Sequence, residues 1–301
     1  MARHVSSVPV RWSDIDRLGH VNNVVLLRYL QEARVDMLFR DAAGRGTAGL
    51  ASGVLIHRHD VTYRSPIRID AGPDGRPHPV RVDTRIGRVT AASFEVGYEV
   101  RDSAGTVCAT ATSVVVPYDL GGDHLRRLTT AERTVLDGFR DDMMAGDGHS
   151  PAPAMEDATF STECAVRFDD LDSYGHVNNV TIAEYLQQAR IDLGRAHLDG
   201  HREEHQRQVI ARLVIDYARP IPFRTEPVRV DLVVTRIGTS SVDLAYTVRD
   251  DDAVYARAAS TMVAYDVRAA ESRPLGEGER DALEQLRAPV RTVIGHREAA
   301  R

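Results

Sequence analysis

The chain of 301 residues contains no lysine, and all 38 of its basic residues are arginine. That excludes Schiff-base chemistry on a lysine amine and the lysine of a phosphate-binding P-loop. Cysteine is almost absent as well. Cys108 and Cys164 are too few for a disulfide framework and stand at no metal-ligand spacing. Both lie in apolar or alternating runs, the setting of a small buried hydrophobe rather than a reactive thiol. No run approaches 18 consecutive apolar residues, which argues against a membrane-spanning helix. The opening residues MARHVSSVPVRW lack the apolar stretch of a secretory leader, so the cytoplasm is the expected location. The formal net charge is −6, which disfavours a nucleic-acid partner. An anionic ligand would need a local arginine cluster. The Gly-x-Ser-x-Gly, Walker and Rossmann glycine patterns are missing, and no paired histidines sit with a general base, so no metal site is expected.

What the chain does have is a repeat. Residues 11–38, RWSDIDRLGHVNNVVLLRYLQEARVDML, align at a shift of 156 with residues 167–194, RFDDLDSYGHVNNVTIAEYLQQARIDLG, and 15 of the 28 positions are identical. Tyr63-Arg-Ser-Pro-Ile67 answers Tyr217-Ala-Arg-Pro-Ile221, Arg85-Ile-Gly87 answers Arg236-Ile-Gly238, and YEVRD at 98–102 answers YTVRD at 246–250. The length fits two domains of roughly 150 residues. Residues 1–143 form one expected unit and 159–301 the other. The Gly-, Pro- and Ala-rich stretch 144–158 reads as a linker.

Each unit has the same order of elements. A strand (about 5–13 and 160–169) leads through a turn into a long helix (about 23–40 and 179–196). Leu26, Tyr29, Leu30, Ala33 and Met37 fall on one helical face, and Ile182, Tyr185, Leu186, Ala189 and Leu193 copy them. Four β-branched runs follow, near 54–64, 79–87, 92–102 and 106–117, with counterparts near 208–218, 227–237, 240–250 and 253–265. A short helix closes each unit, the first opening on Thr129 with Glu132 at capping-box spacing. One long helix with an antiparallel sheet of about five strands per unit is an α+β fold.

The repeated phrase Asp-x-x-Gly-His-Val-Asn-Asn stands where the first strand meets the helix. Gly19 and Gly175 permit a sharp turn. Asn22 or Asn23, and Asn178 or Asn179, can cap the helix. The amides near Val21–Val24 and Val177–Val180 offer donors to a developing oxyanion. Beside them stand Asp16 with His20, and Asp172 with His176. The helix field favours the charged carboxylate, which suits a general base or nucleophile. Asp14 and Asp170 also repeat and read as structural support. His57, His59, His124, His197, His201 and His205 have no echo and read as surface or incidental residues.

With these residues in place, the chain resembles the hotdog-fold acyl thioesterases: Asp-x-Asp-x-x-Gly-His-Val-Asn-Asn, then a helix with Tyr-Leu-Gln-x-Ala-Arg, then four strands. The resemblance covers nearly the whole chain, once per half, and implies a tandem double hotdog. It makes Asp16 and Asp172 the catalytic carboxylates, with His20 and His176 beside them. The helix-start amides then give the expected substrate-binding set, Val21, Asn22, Asn23 and Val24 with Val177, Asn178, Asn179 and Val180. The plant-type acyl-ACP thioesterases carry asparagine two residues after the aspartate, where this chain has Leu18 and Tyr174. The 4-hydroxybenzoyl-CoA thioesterase-like branch is therefore the better match. The implied reaction is acyl-CoA hydrolysis, with coenzyme A as part of the substrate and no separate cofactor. A homo-oligomer is also implied, and Arg64, Arg219, Arg85 and Arg236 are candidates for the CoA phosphates, or for ion pairs. A non-catalytic acyl-thioester binding protein and an enoyl-thioester hydratase are the alternatives on the same scaffold.

Overall fold

A computed structural model describes residues 3–41, 50, 53–69, 77–122, 124–141, 151–198, 208–266 and 269–291. The chain divides into two units, Met1–Asp147 and Gly148–Arg301. In the first, β1 (His4–Val8) is followed by a 3-10 turn (Trp12–Asp14) and α1 (Asn23–Asp36). Then come β2 (Val54–Tyr63), β3 (Val80–Val89), β4 (Phe94–Arg101), β5 (Val107–Asp119) and α2 (Thr130–Asp137). The second repeats the order: β6 (Phe160–Cys164), a 3-10 turn (Phe168–Asp170), α3 (Asn179–His197), β7 (Gln208–Tyr217), β8 (Val228–Ile237), β9 (Ser241–Arg249), β10 (Val254–Asp266) and α4 (Glu277–Glu284).

Each unit has an antiparallel five-stranded sheet, in the order β1-β3-β4-β5-β2 and its copy β6-β8-β9-β10-β7. The registers repeat too: Ser6 lies opposite Val82 and Val82 opposite Val100, as Thr162 lies opposite Val230 and Val230 opposite Val248. The α+β arrangement read from the sequence is the one found. The first strand is shorter than expected in both units. It stops because Arg11 N–H donates to Asp14 Oδ2 (2.8 Å), and Arg167 N–H to Asp170 Oδ2 (2.7 Å), which winds the chain into the 3-10 turn. Of the stretch expected as a linker, residues 144–150 lie outside the described residues. Ala154–Met155 pair with Val290–Arg291 inside the second unit.

The long helices lie against the sheet with their apolar faces inward. All ten residues read as that face, five per unit, are buried, Met37 in the π-helical turn that continues α1. Burying a leucine or isoleucine this way stabilises by about 1.5–3 kcal/mol each. An arginine of each long helix is buried as well. Arg34 Nη1 donates to the Tyr98 hydroxyl (3.4 Å), and Arg190 Nη1 to the Tyr246 hydroxyl (3.4 Å). Cys108 and Cys164 are buried, and burial pushes both thiols up to about 11, so neither ionises near neutrality. His59 corrects the reading of it as a surface residue. A bulge at His57 in β2 leaves His59 on the inward face with Val61, fully enclosed, with Nδ1 on Ser113 Oγ at 2.8 Å. The expected capping box forms: Glu132 N–H donates to Thr129 Oγ1 (3.2 Å) and Thr129 N–H to Glu132 Oε2 (2.8 Å). Among the described residues, no helix is long and apolar enough to cross a membrane.

Candidate active site

The repeated phrase forms a small closed loop between the first strand and the long helix. In the first unit Ile15 bridges to Val21, Asp16 N–H donates to the His20 carbonyl (2.8 Å), and Gly19 N–H donates to the Asp16 carbonyl (3.1 Å). Gly19 takes φ +76° to close the turn, a conformation a side chain resists. The second unit repeats each bond at matching lengths, with Gly175 at φ +77°.

The loop fixes the carboxylate. Asp16 Oδ1 accepts from Leu18 N–H (2.8 Å) and His20 N–H (3.3 Å), while Oδ2 has no protein donor among the described residues. Asp172 Oδ1 is held likewise by Tyr174 N–H (2.8 Å) and His176 N–H (3.3 Å). One oxygen of each carboxylate is thus an anchor. Asp14 and Asp170 have a different task. Tyr29 Oη donates to Asp14 Oδ2 at 2.6 Å and Tyr185 Oη to Asp170 Oδ2 at 2.7 Å, tying the turn to the helix. Burial, then the carboxylate itself, raises both phenol pKa values, so the two hydroxyls stay donors.

The caps are Asn22 and Asn178, whose Oδ1 atoms accept from Val24 N–H (2.8 Å) and Val180 N–H (2.9 Å). This corrects the donor set expected over Val21–Val24. Val21 N–H is taken by the Ile67 carbonyl (2.8 Å), Asn22 N–H by the Asp14 carbonyl (2.8 Å), and Val24 N–H by the cap. Of those four amides, only that of Asn23 has no acceptor among the described residues. Val177, Asn178 and Val180 are engaged in the same way, by Ile221, Asp170 and the Asn178 cap. Helix capping and oxyanion binding compete for the same N–H groups, and the cap takes most of them.

His20 is buried, and its pKa is lowered by that burial first. The Asp16 carboxylate works against the shift and the Arg68 guanidinium adds to it. The imidazole is therefore neutral at pH 7. His176 is half-buried, with Nδ1 enclosed and without a hydrogen-bond partner. An enclosed orphan N–H costs more than an enclosed lone pair, which favours the tautomer protonated on Nε2. An Nε2–H is a hydrogen-bond donor, suited to polarising a carbonyl.

Two tyrosines noted only as part of the repeat also belong here. Tyr63 Oη donates to the Asn23 carbonyl and Tyr217 Oη to the Asn179 carbonyl, both at 2.9 Å. Their signal was the echo of Tyr63 in Tyr217. Of the arginines weighed for phosphates, Arg85 pairs with Asp141 (3.4 Å) and Arg236 with Asp243 (2.6 Å), whereas Arg64 and Arg219 are exposed.

The profile of the thioesterase-like superfamily matches residues 10–152 and again residues 166–290. The chain belongs to the thioesterase-like superfamily. The double match follows the internal repeat, and each segment contains one copy of the loop. Among solved structures, the 12:0-ACP thioesterase of Umbellularia californica superposes with a TM-score of 0.69 at 15% identity, over 86% of this chain and 93% of that one. An acyl-ACP thioesterase of Bacteroides thetaiotaomicron VPI-5482 gives 0.62 at 15% identity, over 86% and 97%. At that identity the likeness establishes the fold, tandem hotdog units. The uncharacterized protein YsmA of Bacillus subtilis (strain 168) is 30% identical over 89 residues, which are 29% of this chain. The match spans 59% of that curated relative.

Proposed function

We propose that this superfamily member hydrolyses acyl thioesters, with acyl-CoA as the substrate class. The observation that carries the reading is the duplicated loop, in which a carboxylate anchored through one oxygen keeps the other open beside an imidazole and a helix start. Asp16 Oδ2 takes a proton from water as the water oxygen attacks the thioester carbonyl. The carbonyl oxygen, now anionic, accepts from Asn23 N–H and from the imidazole of His20. Collapse of the tetrahedral intermediate breaks the C–S bond, and the departing thiolate takes up the proton held by Asp16. Asp172 and His176 act correspondingly in the second unit. One preorganised donor of this kind contributes about 3–4 kcal/mol in a transition state. Coenzyme A enters as part of the substrate, and the reaction as written uses no further cofactor.

Membership in the superfamily supports thioester chemistry. The two solved relatives are described as acting on acyl-ACP, and Leu18 and Tyr174 favour the CoA form for this chain. The reading carries with it a cytoplasmic location and a homo-oligomer, the latter tested by light scattering on the purified chain. The deciding experiment offers a chain-length panel of acyl-CoA and follows free thiol, comparing wild type with Asp16→Ala, Asp172→Ala and the double variant. Turnover in wild type and its loss in the double variant are expected. A double variant close to the wild-type rate would remove the mechanism.

A further inference from the structure

The two loops are built alike but their surroundings are not. Beside the first loop, Arg17 and Arg68 are exposed, and neither guanidinium meets an acceptor among the described residues. Arg68 follows Ile67, whose carbonyl holds Val21 N–H, and its charge is felt at His20. Arg17 sits within the loop itself, next to Asp16 in sequence. Asp70, two residues beyond Arg68, lies outside the described residues. Trp12, in the turn that leads into the loop, has 86% of its surface exposed.

The second unit replaces each of these features. Arg17 becomes Ser173, Arg68 becomes Pro222, and half-buried Ile69 becomes exposed Phe223, while exposed Ser13 becomes Asp169. Phe223 meets Phe168, the counterpart of Trp12, edge to face with centroids 6.1 Å apart. That contact shows that the turn and the segment after Ile221 face each other in the second unit. Phe168 is nonetheless 80% exposed, close to the value for Trp12, so the two units differ here in ring type, indole against phenyl, rather than in exposure. Beyond Pro222 the second unit's next arginine, Arg224, is committed to Asp250 at 2.5 Å, and Arg219, on the other side of Ile221, is exposed but stands where the first unit has Ser65, outside the positions of Arg17 and Arg68. Two exposed arginines without acceptors among the described residues, one in the loop and one beside the segment that holds it, in a unit that also exposes an indole in the turn before the loop, suit an anion with a planar group attached. A guanidinium fork matches phosphate oxygens, and an indole face stacks on a heteroaromatic ring.

We propose that the first unit alone recognises the phosphate of the phosphopantetheine arm that carries the acyl group, through Arg17 and Arg68. The second unit takes its thioester without reading that phosphate. This rests on the thioesterase reading and adds to it the part of the carrier that is recognised, and by which unit. The phosphate is common to coenzyme A and to an acyl carrier protein. Trp12 distinguishes them, because only coenzyme A brings an adenine.

The test uses the full chain and one acyl group on three thiols: pantetheine, phosphopantetheine and coenzyme A. With the second loop silenced by Asp172→Ala, adding the phosphate should raise kcat/KM by about fivefold, the scale of a solvent-exposed ion pair. Arg17→Ala with Arg68→Ala should erase that gain, and high salt should shrink it. Trp12→Ala should lower the CoA value alone. With the first loop silenced by Asp16→Ala, the phosphate should bring no gain. An equal gain in both backgrounds, or a gain that survives loss of both arginines, would overturn the proposal. If wild type turns over none of the three thioesters, the hydrolase reading falls separately. Calorimetric binding of CoA to wild type and to the double arginine variant then decides the phosphate site: equal affinities overturn it, and a weakened variant supports it.

Discussion

The hydroxyl of Tyr29 donates to Asp14 Oδ2 at 2.6 Å, and Tyr185 repeats the bond to Asp170 at 2.7 Å. Asp14 also accepts from Arg11 N–H through the same carboxylate oxygen, and its carbonyl holds Asn22 N–H, so one residue ties the turn, the cap and the helix together. Tyr29→Phe keeps the ring and removes the donor. A hydrogen bond to a charged acceptor is worth about 2 kcal/mol, so a loss of that size in urea unfolding is expected. No change in stability would mean the carboxylate finds another donor at no cost.

Asp16→Asn separates anchoring from chemistry. The amide oxygen can still accept from Leu18 and His20 N–H, so the loop and the melting temperature should be retained. Loss of the proton acceptor should lower turnover at the first site by about a hundredfold or more. The comparison is made in the Asp172→Ala background, by thiol release and thermal unfolding together. A fall in activity matched by a fall in melting temperature would point to a structural role only.

Gly19→Ala isolates the backbone term. No atom lies within 4 Å of the Cβ that would be added, so sterics with neighbours contribute nothing and only the left-handed φ of +76° resists the change. A cost of about 1–2 kcal/mol is expected, and Gly175→Ala should match it. A much larger cost at either position would show that the loop shifts.

Acid should destabilise the protein through its buried imidazoles. The pKa of His20 is lowered and that of His59 lies at about 3, each chiefly by burial; Arg34 adds to the shift at His59. Both are neutral when folded and free to protonate when unfolded. Below about pH 6.5 the unfolded chain binds more protons, so stability falls with pH through that window, down towards about pH 3 for His59. The second unit has Leu213 where the first has His59. His59→Leu should therefore flatten the loss of urea midpoint between about pH 7 and pH 4.5. An unchanged slope would assign it to other groups.

The elements were legible because the repeat supplied two readings of each. A helical face seen once in Leu26, Leu30 and Ala33 was seen again in Ile182, Leu186 and Ala189. The loop, too, was visible as a phrase, down to the glycine. Its wiring was not. Which amides remain open depends on carbonyls far along the chain, such as Ile67 and Ile221, and no local pattern announces them. His59 escaped for a related reason: the bulge at His57 breaks the alternation on which a strand's inward face is read. Arg34 and Arg190 lay under the helix for want of any rule that places a cation there, and the Tyr98 and Tyr246 hydroxyls help explain how they are tolerated.

The bonds named for the loops, such as those between Asp14 and Asn22, Asp16 and His20, and Ile67 and Val21, each join residues of one half of the polypeptide. A mutation in one copy accordingly leaves the other copy's frame intact. The duplication has thus left two loops whose surroundings can diverge while each keeps its shape, and Arg68 opposite Pro222 is one such divergence.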